Sequence, residues 1–295
     1  MSATIEPIPR TGPSPYETRS LPEIGGIEIT GVNLADPLSQ ERKDWLTRTF
    51  RAHPVIVFRD QNLTQEQQYE FTLTFGEIEG LHVNRLVDAV KYTPAHTVSN
   101  IGPDGKPSAP KRERGNYYWH TDKSYHDVPS LLTMLHGVAI PSRGGETQFA
   151  NTAMAYAALD DATRQRLTGL RAVHSWERSR IQSQSQLATE EQKRERPPID
   201  HPIVRTHPDT GTKALYLGNH GSHVLGWPED EGRALLRWLD AFATQAAFVY
   251  SHRWRPGDLV LWDNRCTLHR ALPHEDMDKE RRVLHRTVVK GTVPY

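Results

Sequence analysis

From residue 97 onward the chain is a succession of short apolar, β-branched runs separated by proline and glycine turns. "NYYWHTDKSY", "LLTMLHGVAI", "ETQFANT", "RAVHSW", "PIVRTHPDTGTKALYLG", "FVYSHRW", "DLVLWDN" and "RVLHRTVVKG" each read as a strand. Parallel strands need a crossover of a dozen or more residues between each pair, usually helical. Helical patterns intrude only at about 152–168 and 229–244, where Leu235, Leu236, Leu239 and Phe242 form an apolar stripe for packing against a sheet. The texture therefore predicts a mostly β fold with flanking helices, a sandwich or jelly roll rather than βαβ units.

The first hundred residues read differently. Residues 1–20 are rich in proline and serine and are expected to form a flexible arm. "IEITGVNL" (27–34) reads as a strand, and "SQERKDWLTRTFRAH" as a helix with Trp45, Leu46 and Phe50 on one face. "PVIVFRDQ" reads as a buried strand. In "LTQEQQYEFTLTFG", Thr64 and Gln67 have capping-box spacing and Gly76 closes a second helix. Two polar stretches, 102–115 and 179–198, read as long loops of the kind that often cover binding sites. No linker or internal repeat is visible, so residues 21–295 are expected to form a single domain.

Composition limits the function classes. The chain has 295 residues, and 36 Lys plus Arg balance 36 Asp plus Glu, so no broad basic face for nucleic acid is implied. No apolar run approaches the ~20 residues of a membrane span, and the N-terminal stretch lacks the apolar core of a secretory signal. One cysteine, Cys266, rules out an internal disulfide framework and fits a reducing cytoplasm. Fifteen histidines hint at metal chemistry.

His-x-Asp occurs three times, as His120/Asp122, His207/Asp209 and His274/Asp276, so the spacing alone decides nothing. In a strand, residues two apart share a face, so His120 and Asp122 would project together behind a wall of Tyr117, Tyr118 and Trp119. The second pair sits at a Pro–Gly hairpin turn and the third in an acidic loop, and both are expected to be solvated. Two histidines and a carboxylate with open positions suit a non-haem Fe(II) oxygenase. His269, after the strand "GDLVLWDN", is the best source of the second histidine, and a buried structural histidine is the plainer alternative.

In "RRVLHRTVVKG", period two places Arg282, Leu284, Arg286 and Val288 on one face. Guanidinium groups are costly to bury without an anion, and their planar fork matches a carboxylate. Two such anchors beside a metal could hold two anionic groups, although carboxylates of the chain itself could serve instead.

In combination, and in this order, "WHTD", "GGETQF", "WDNRCTLHRA" and "RRVLHRT" resemble the TauD/TfdA group of Fe(II)- and 2-oxoglutarate-dependent dioxygenases over roughly residues 20–290. The resemblance implies a double-stranded β-helix core, with Fe(II), 2-oxoglutarate and O2 as cofactor and cosubstrates. It implies His120, Asp122 and His269 as catalytic metal ligands. Thr147 and Arg282 would hold the distal carboxylate of 2-oxoglutarate. Arg281 is the neighbouring alternative, and strand phase favours Arg282. Arg286, Asn116 and His82 would contact the substrate. "VRTHPDTGTKALYLGNHGSHVLGW" looks more like the phenoxyalkanoate (2,4-dichlorophenoxyacetate-type) subgroup, and His220 and His223 in it are further candidates for the substrate pocket. The implied reaction hydroxylates a small anionic carboxylate or sulfonate and releases succinate and CO2. Ether or C–S cleavage would follow where the hydroxylated carbon bears such a group. The implied enzyme is cytoplasmic and homo-oligomeric, a dimer or tetramer.

Taurine, alkylsulfonate and sulfate-ester chemistry are the near alternatives. A zinc-dependent hydrolase could use the same ligand types, and a non-catalytic jelly-roll binding module is the remaining rival. Neither G-x-S-x-G nor a phosphate-binding glycine motif occurs.

Overall fold

The computed structural model describes residues 14–79, 95–108, 115–183 and 187–295. Strands β1 (Glu17–Leu21) and β2 (Gly26–Thr30) form a hairpin, followed by helix α1 (Gln40–Ala52), β3 (Val55–Phe58) and α2 (Gln65–Thr72). Next come β4 (His96–Ser99), the long β5 (Ser130–Ala139), β6 (Thr147–Asn151), α3 (Thr152–Ala158) and α4 (Asp161–Leu167). β7 (Arg171–His174), α5 (Trp176–Gln182), α6 (Glu190–Glu195), β8 (Ile199–Pro202), β9 (Val204–Thr206), β10 (Lys213–Leu215) and β11 (Gly221–Val224) follow. α7 (Glu229–Ala243) precedes the closing strands β12 (Val249–His252), β13 (Leu259–Asp263), β14 (Thr267–Ala271) and β15 (Val283–Lys290).

The main sheet runs β1-β2-β3-β13-β5-β15-β4, antiparallel except where β2 meets β3. Its outer face buries Ile29, Ile56, Phe58, Met134 and Leu261 under Trp45, Leu46 and Phe50 of α1 and Phe71 of α2. Its inner face presents Leu135, Val260, Trp262 and Leu284, which pack with Phe149 of the smaller sheet β12-β6-β14. Two facing sheets with strands alternating between them make the jelly roll. A second core under α7 buries Leu235, Leu236 and Leu239 on Leu215, Leu217 and Leu268, as the apolar stripe predicts.

The capping box at Thr64 and Gln67 is formed as expected. Four expectations differ. Residues 17–20 are not an arm: their backbones pair with β2, where side-chain exposure on an edge hairpin hides the strand from composition. Residues 179–198 are not a plain loop but contain the end of α5 and all of α6, whose capping box (Thr189 and Gln192) was legible. "NYYWHTDKSY" is not a strand. It begins as a 3-10 turn at Gly115–Tyr117, touches the sheet only at His120, and turns again after Asp122, with Lys123 at a φ of 56°. Its backbone is held by a side chain instead of a ladder: the Asp122 amide donates to Asn264 Oδ1 at 3.2 Å. The other two His-x-Asp pairs are not simply solvated, since His207 and His274 are buried.

Several histidines outside the proposed ligand set are buried, among them His174, His201 and His252. Burial holds all three below the ordinary imidazole pKa; His201 and His220 add to the effect at His174, and Asp258 only partly offsets it at His252. Below a pH of about 6.5 the unfolded chain therefore binds more protons than the folded one, and stability falls with pH. The urea midpoint of the metal-free protein should be lower at pH 5.5 than at pH 7.5; equal midpoints would contradict this account.

Candidate metal centre

His120 and His269 come from distant parts of the chain and meet as an isolated antiparallel bridge. His120 N donates to His269 O at 3.0 Å, and His269 N to His120 O at 2.8 Å. The rings lie 4.1 Å apart between centroids, tilted by 45°. His269 Nε2 is 3.8 Å from Asp122 Oδ2, and one donor atom from each of His120, Asp122 and His269 lies within 4.8 Å of the others. Those separations suit three ligands of one ion. His120 Nδ1–H donates to Tyr118 O at 2.8 Å, which leaves the Nε2 lone pair free, the usual tautomer of a metal-ligating histidine.

The electrostatics keep each group in the form that metal binding requires. Burial holds His120 and His269 below the usual imidazole range, so both are neutral near pH 7. Burial by itself would raise the Asp122 carboxyl, but Arg286, then His269 and His120, hold it well below the carboxylate range. Arg286 Nη2 lies 2.8 Å from Asp122 Oδ1, and Thr133 Oγ1 donates to Oδ2 at 2.5 Å.

Asn264, inside the "WDNR" block, organises this corner and was missed by sequence reasoning. Its Oδ1 accepts from the Asp122 amide and from Trp262 Nε1, and its Nδ2 donates to Thr133 Oγ1 at 2.9 Å. Thr121 donates to its carbonyl at 2.7 Å. A chain from Asn264 to Thr133 to Asp122 thus aims the carboxylate. Behind His120, Gly218 has a φ of 110°, and a Cβ there would lie 2.9 Å from His120 Cα. Its amide donates to Asp240, a carboxyl pushed up to about 7 by burial.

The "GGET" turn explains Arg282. Gly144 and Gly145 have φ values of 74° and 73°, and a Cβ on Gly145 would sit 3.1 Å from Arg282 Nε. The Arg282 guanidinium donates to Gly145 O at 3.2 and 3.1 Å, two residues before Thr147. The Thr147 hydroxyl is buried and accepts from Trp254 Nε1 at 3.0 Å. Arg281, by contrast, is exposed.

A cavity of about 340 Å3 opens beside His120 and Asp122, and Arg286, Asn116, His220, Trp176 and Arg180 are among its lining residues. Asn116 also lines a cavity of about 30 Å3 that reaches Arg282, and its Oδ1 is buried without a partner. Burial and the nearby His120 push His220 down to about 3. His223 does not reach the cavity: it lies in β11 opposite Val173, with Nδ1 3.1 Å from Ser222 Oγ. His82 lies outside the described residues. Trp176 and Arg180 carry no sequence signal, because "RAVHSW" reads as a strand and 179–198 as a loop, whereas the structure has α5 there.

A second cluster, His207, Asp263 and Cys266, also has metal-ligating side chains in reach of one another. Its carboxylate is already held by Arg265 through Nε at 2.8 Å and Nη2 at 2.6 Å, and by His207 Nε2 at 3.0 Å. Burial raises the Cys266 thiol pKa well above its usual value. A neutralised carboxylate and a protonated thiol make poor ligands, so this cluster is a structural ion-pair network.

Known proteins match this arrangement. The family model for the taurine catabolism dioxygenase TauD, TfdA family, matches residues 17–288. The chain is 37% identical to the alpha-ketoglutarate-dependent 2,4-dichlorophenoxyacetate dioxygenase of Cupriavidus pinatubonensis, over 90% of this chain and 94% of that one. It is 30% identical to the alpha-ketoglutarate-dependent sulfate ester dioxygenase of Pseudomonas putida, over 96% and 93%. The solved structure of AAD-2 in complex with Mn(II) and N-oxalylglycine superimposes with a TM-score of 0.88 at 36% identity, covering 95% of this chain and 99% of that one. These matches displace the zinc-hydrolase and binding-module alternatives. Nearly the whole chain falls within the family match, and the protein belongs to the TauD/TfdA family of Fe(II)- and 2-oxoglutarate-dependent dioxygenases.

Proposed function

We propose that His120, Asp122 and His269 bind Fe(II), that Thr147 and Arg282 hold the distal carboxylate of 2-oxoglutarate, and that the protein hydroxylates a small aryloxyalkanoate. The observation that carries the reading is the convergence of three neutral or anionic donors on one point bordering a cavity that also contains Arg286. When bound, Fe(II) with 2-oxoglutarate activates O2, and R–H, 2-oxoglutarate and O2 become R–OH, succinate and CO2.

The chain's own residues bind, orient and exclude water. Arg286, on the inner face of β15, supports an anionic substrate end next to Asp122. Arg282 supports the cosubstrate because the carbonyl of Gly145, two residues before Thr147, fixes its guanidinium. Trp176 and Tyr125 give the cavity apolar surface against an aromatic ring. Hydroxylation of the carbon next to an ether oxygen gives a hemiacetal, which collapses with loss of the aryl alcohol. Identities of 37–40% to the 2,4-dichlorophenoxyacetate enzymes against 30% to the sulfate-ester enzyme favour oxyacetates over sulfonates or sulfate esters. A cytoplasmic homo-oligomer belongs to the same reading, and sedimentation velocity counts its subunits.

The test is anaerobic addition of Fe(II) and 2-oxoglutarate, read as the weak visible charge-transfer band of the chelate. The band should form in the wild type, need roughly tenfold or more 2-oxoglutarate in Arg282→Ala, and be unchanged in Arg281→Ala. The reverse order of the two arginine variants would reassign the contact, and no band in any of them would overturn the assignment. Succinate release with phenoxyacetate, an alkylsulfonate and an alkyl sulfate then ranks the substrates.

A further inference from the structure

Ser124 is fully buried, and its Oγ lies 3.0 Å from His174 Nδ1 and 3.1 Å from His220 Nδ1. His174 is fully buried, stacks on Tyr216, and has no partner at Nε2. His220 lines the cavity beside His120 and Arg286, and with Nδ1 committed to Ser124 its Nε2 is the nitrogen left for a ligand. One hydroxyl between two imidazoles restricts where the protons sit. A neutral imidazole has one N–H and one lone pair, and a serine has one O–H.

Four arrangements are available to two neutral rings. If both rings carry hydrogen on Nε2, Ser124 can donate to only one Nδ1, and His174 bears its hydrogen on the buried, unpartnered Nε2. If both Nδ1 atoms carry hydrogen, the buried Ser124 hydroxyl has no acceptor. If His220 donates and Ser124 donates onward to His174, then His174 carries its hydrogen on the buried, unpartnered Nε2. Only when His174 Nδ1–H donates to Ser124, and Ser124 to His220 Nδ1, does every buried hydrogen find an acceptor. Orphaned buried N–H groups are rarer than under-used acceptors. In that arrangement His220 bears its hydrogen on Nε2.

We infer that Ser124 and His174 act as positioning residues that lock His220 in the Nε2–H tautomer, so that the cavity offers a neutral hydrogen-bond donor beside the cationic Arg286. This rests on the cavity being the substrate pocket. The substrate it selects carries an anionic group and, near it, a neutral oxygen acceptor such as an ether oxygen. A substrate with an N–H or ammonium donor in that place is disfavoured, because a donor would face a donor.

The first test needs neither metal nor substrate. Long-range 1H–15N correlation of the 15N-histidine-labelled, metal-free protein reports ring tautomers, with His220 assigned by comparison with His220→Gln. His220 should show the Nε2–H pattern; the Nδ1–H pattern would overturn the inference. The second test uses the Fe(II)-loaded enzyme with phenoxyacetate and its carbon isostere 3-phenylpropionate, read as succinate. Ser124→Ala should raise KM for the ether about tenfold and for the isostere less than twofold, and Ser124→Thr should restore the wild-type ratio. Equal losses on both substrates would mean a merely structural role and overturn it. No succinate from either substrate in the wild type would sink the pocket assignment, while the tautomer spectrum would still decide the relay.

Discussion

Asp122→Ala should lose Fe(II) binding and succinate release together, by far more than a change in the residues that aim the carboxylate. Asp122 is the anionic member of the proposed ligand set, and removing it leaves Arg286 facing the proposed metal position with no counter-charge. The unpaired guanidinium then repels a divalent cation that two neutral imidazoles alone hold weakly. Thr133→Val and Asn264→Ala keep the carboxylate but release its orientation, and should each weaken metal affinity by roughly 10–100-fold. Competition between the protein and a chelating dye for Fe(II) under argon measures all three. Metal affinity retained in Asp122→Ala, or a larger loss in Thr133→Val, would refute the ligand assignment.

Asp263→Ala should be the most destabilising of the single charge removals proposed. Asp263 and Arg265 have side chains 1% and 3% exposed, and the carboxylate also holds His207. Burial raises the Asp263 carboxyl, but Arg265 and His207 outweigh it and hold it below the usual range. Breaking a buried pair leaves an uncompensated charge at a cost of about 3–5 kcal/mol, and among the described residues the partly exposed Asp209 is the anion left to Arg265. A lower urea midpoint at unchanged slope reports the loss. The exposed pair Lys279–Asp276 is the control, and Asp276→Ala should leave the midpoint in place. Equal behaviour of the two variants would show that the buried network stabilises nothing. Because the folded-state pKa of Asp263 is depressed, its contribution is present above the unfolded carboxylate pKa, about 3.9, and is lost as pH falls below it.

The geometry around β15 shows how far a local pattern reaches. Period two put Arg286 on one face and Thr287 on the other, and the structure agrees: Arg286 meets Asp122 inside the sandwich, while Thr287 bonds Gln68 and Thr72 of α2 outside it. The same rule applied to "WHTD" expected His120 and Asp122 to project together, and they do, but for another reason. His120 and Asp122 project together because Asn264 and the bridge to His269 shape a turn, not because they share a strand face.

From the sequence alone, strand texture and turn residues determined a mostly β sandwich or jelly roll with flanking helices, because backbone periodicity is encoded locally. The ordered blocks from "WHTD" to "RRVLHRT" likewise pointed to His120, Asp122, His269, Thr147 and Arg282. The tertiary structure decided the rest: that His207 is buried in an ion-pair network, that His223 turns away from the cavity, and that α5 brings Trp176 and Arg180 to it. It also decided that one buried hydroxyl joins His174 to His220. Each of these depends on hydrogen bonds and packing between segments far apart in the chain, and no local period carries that information.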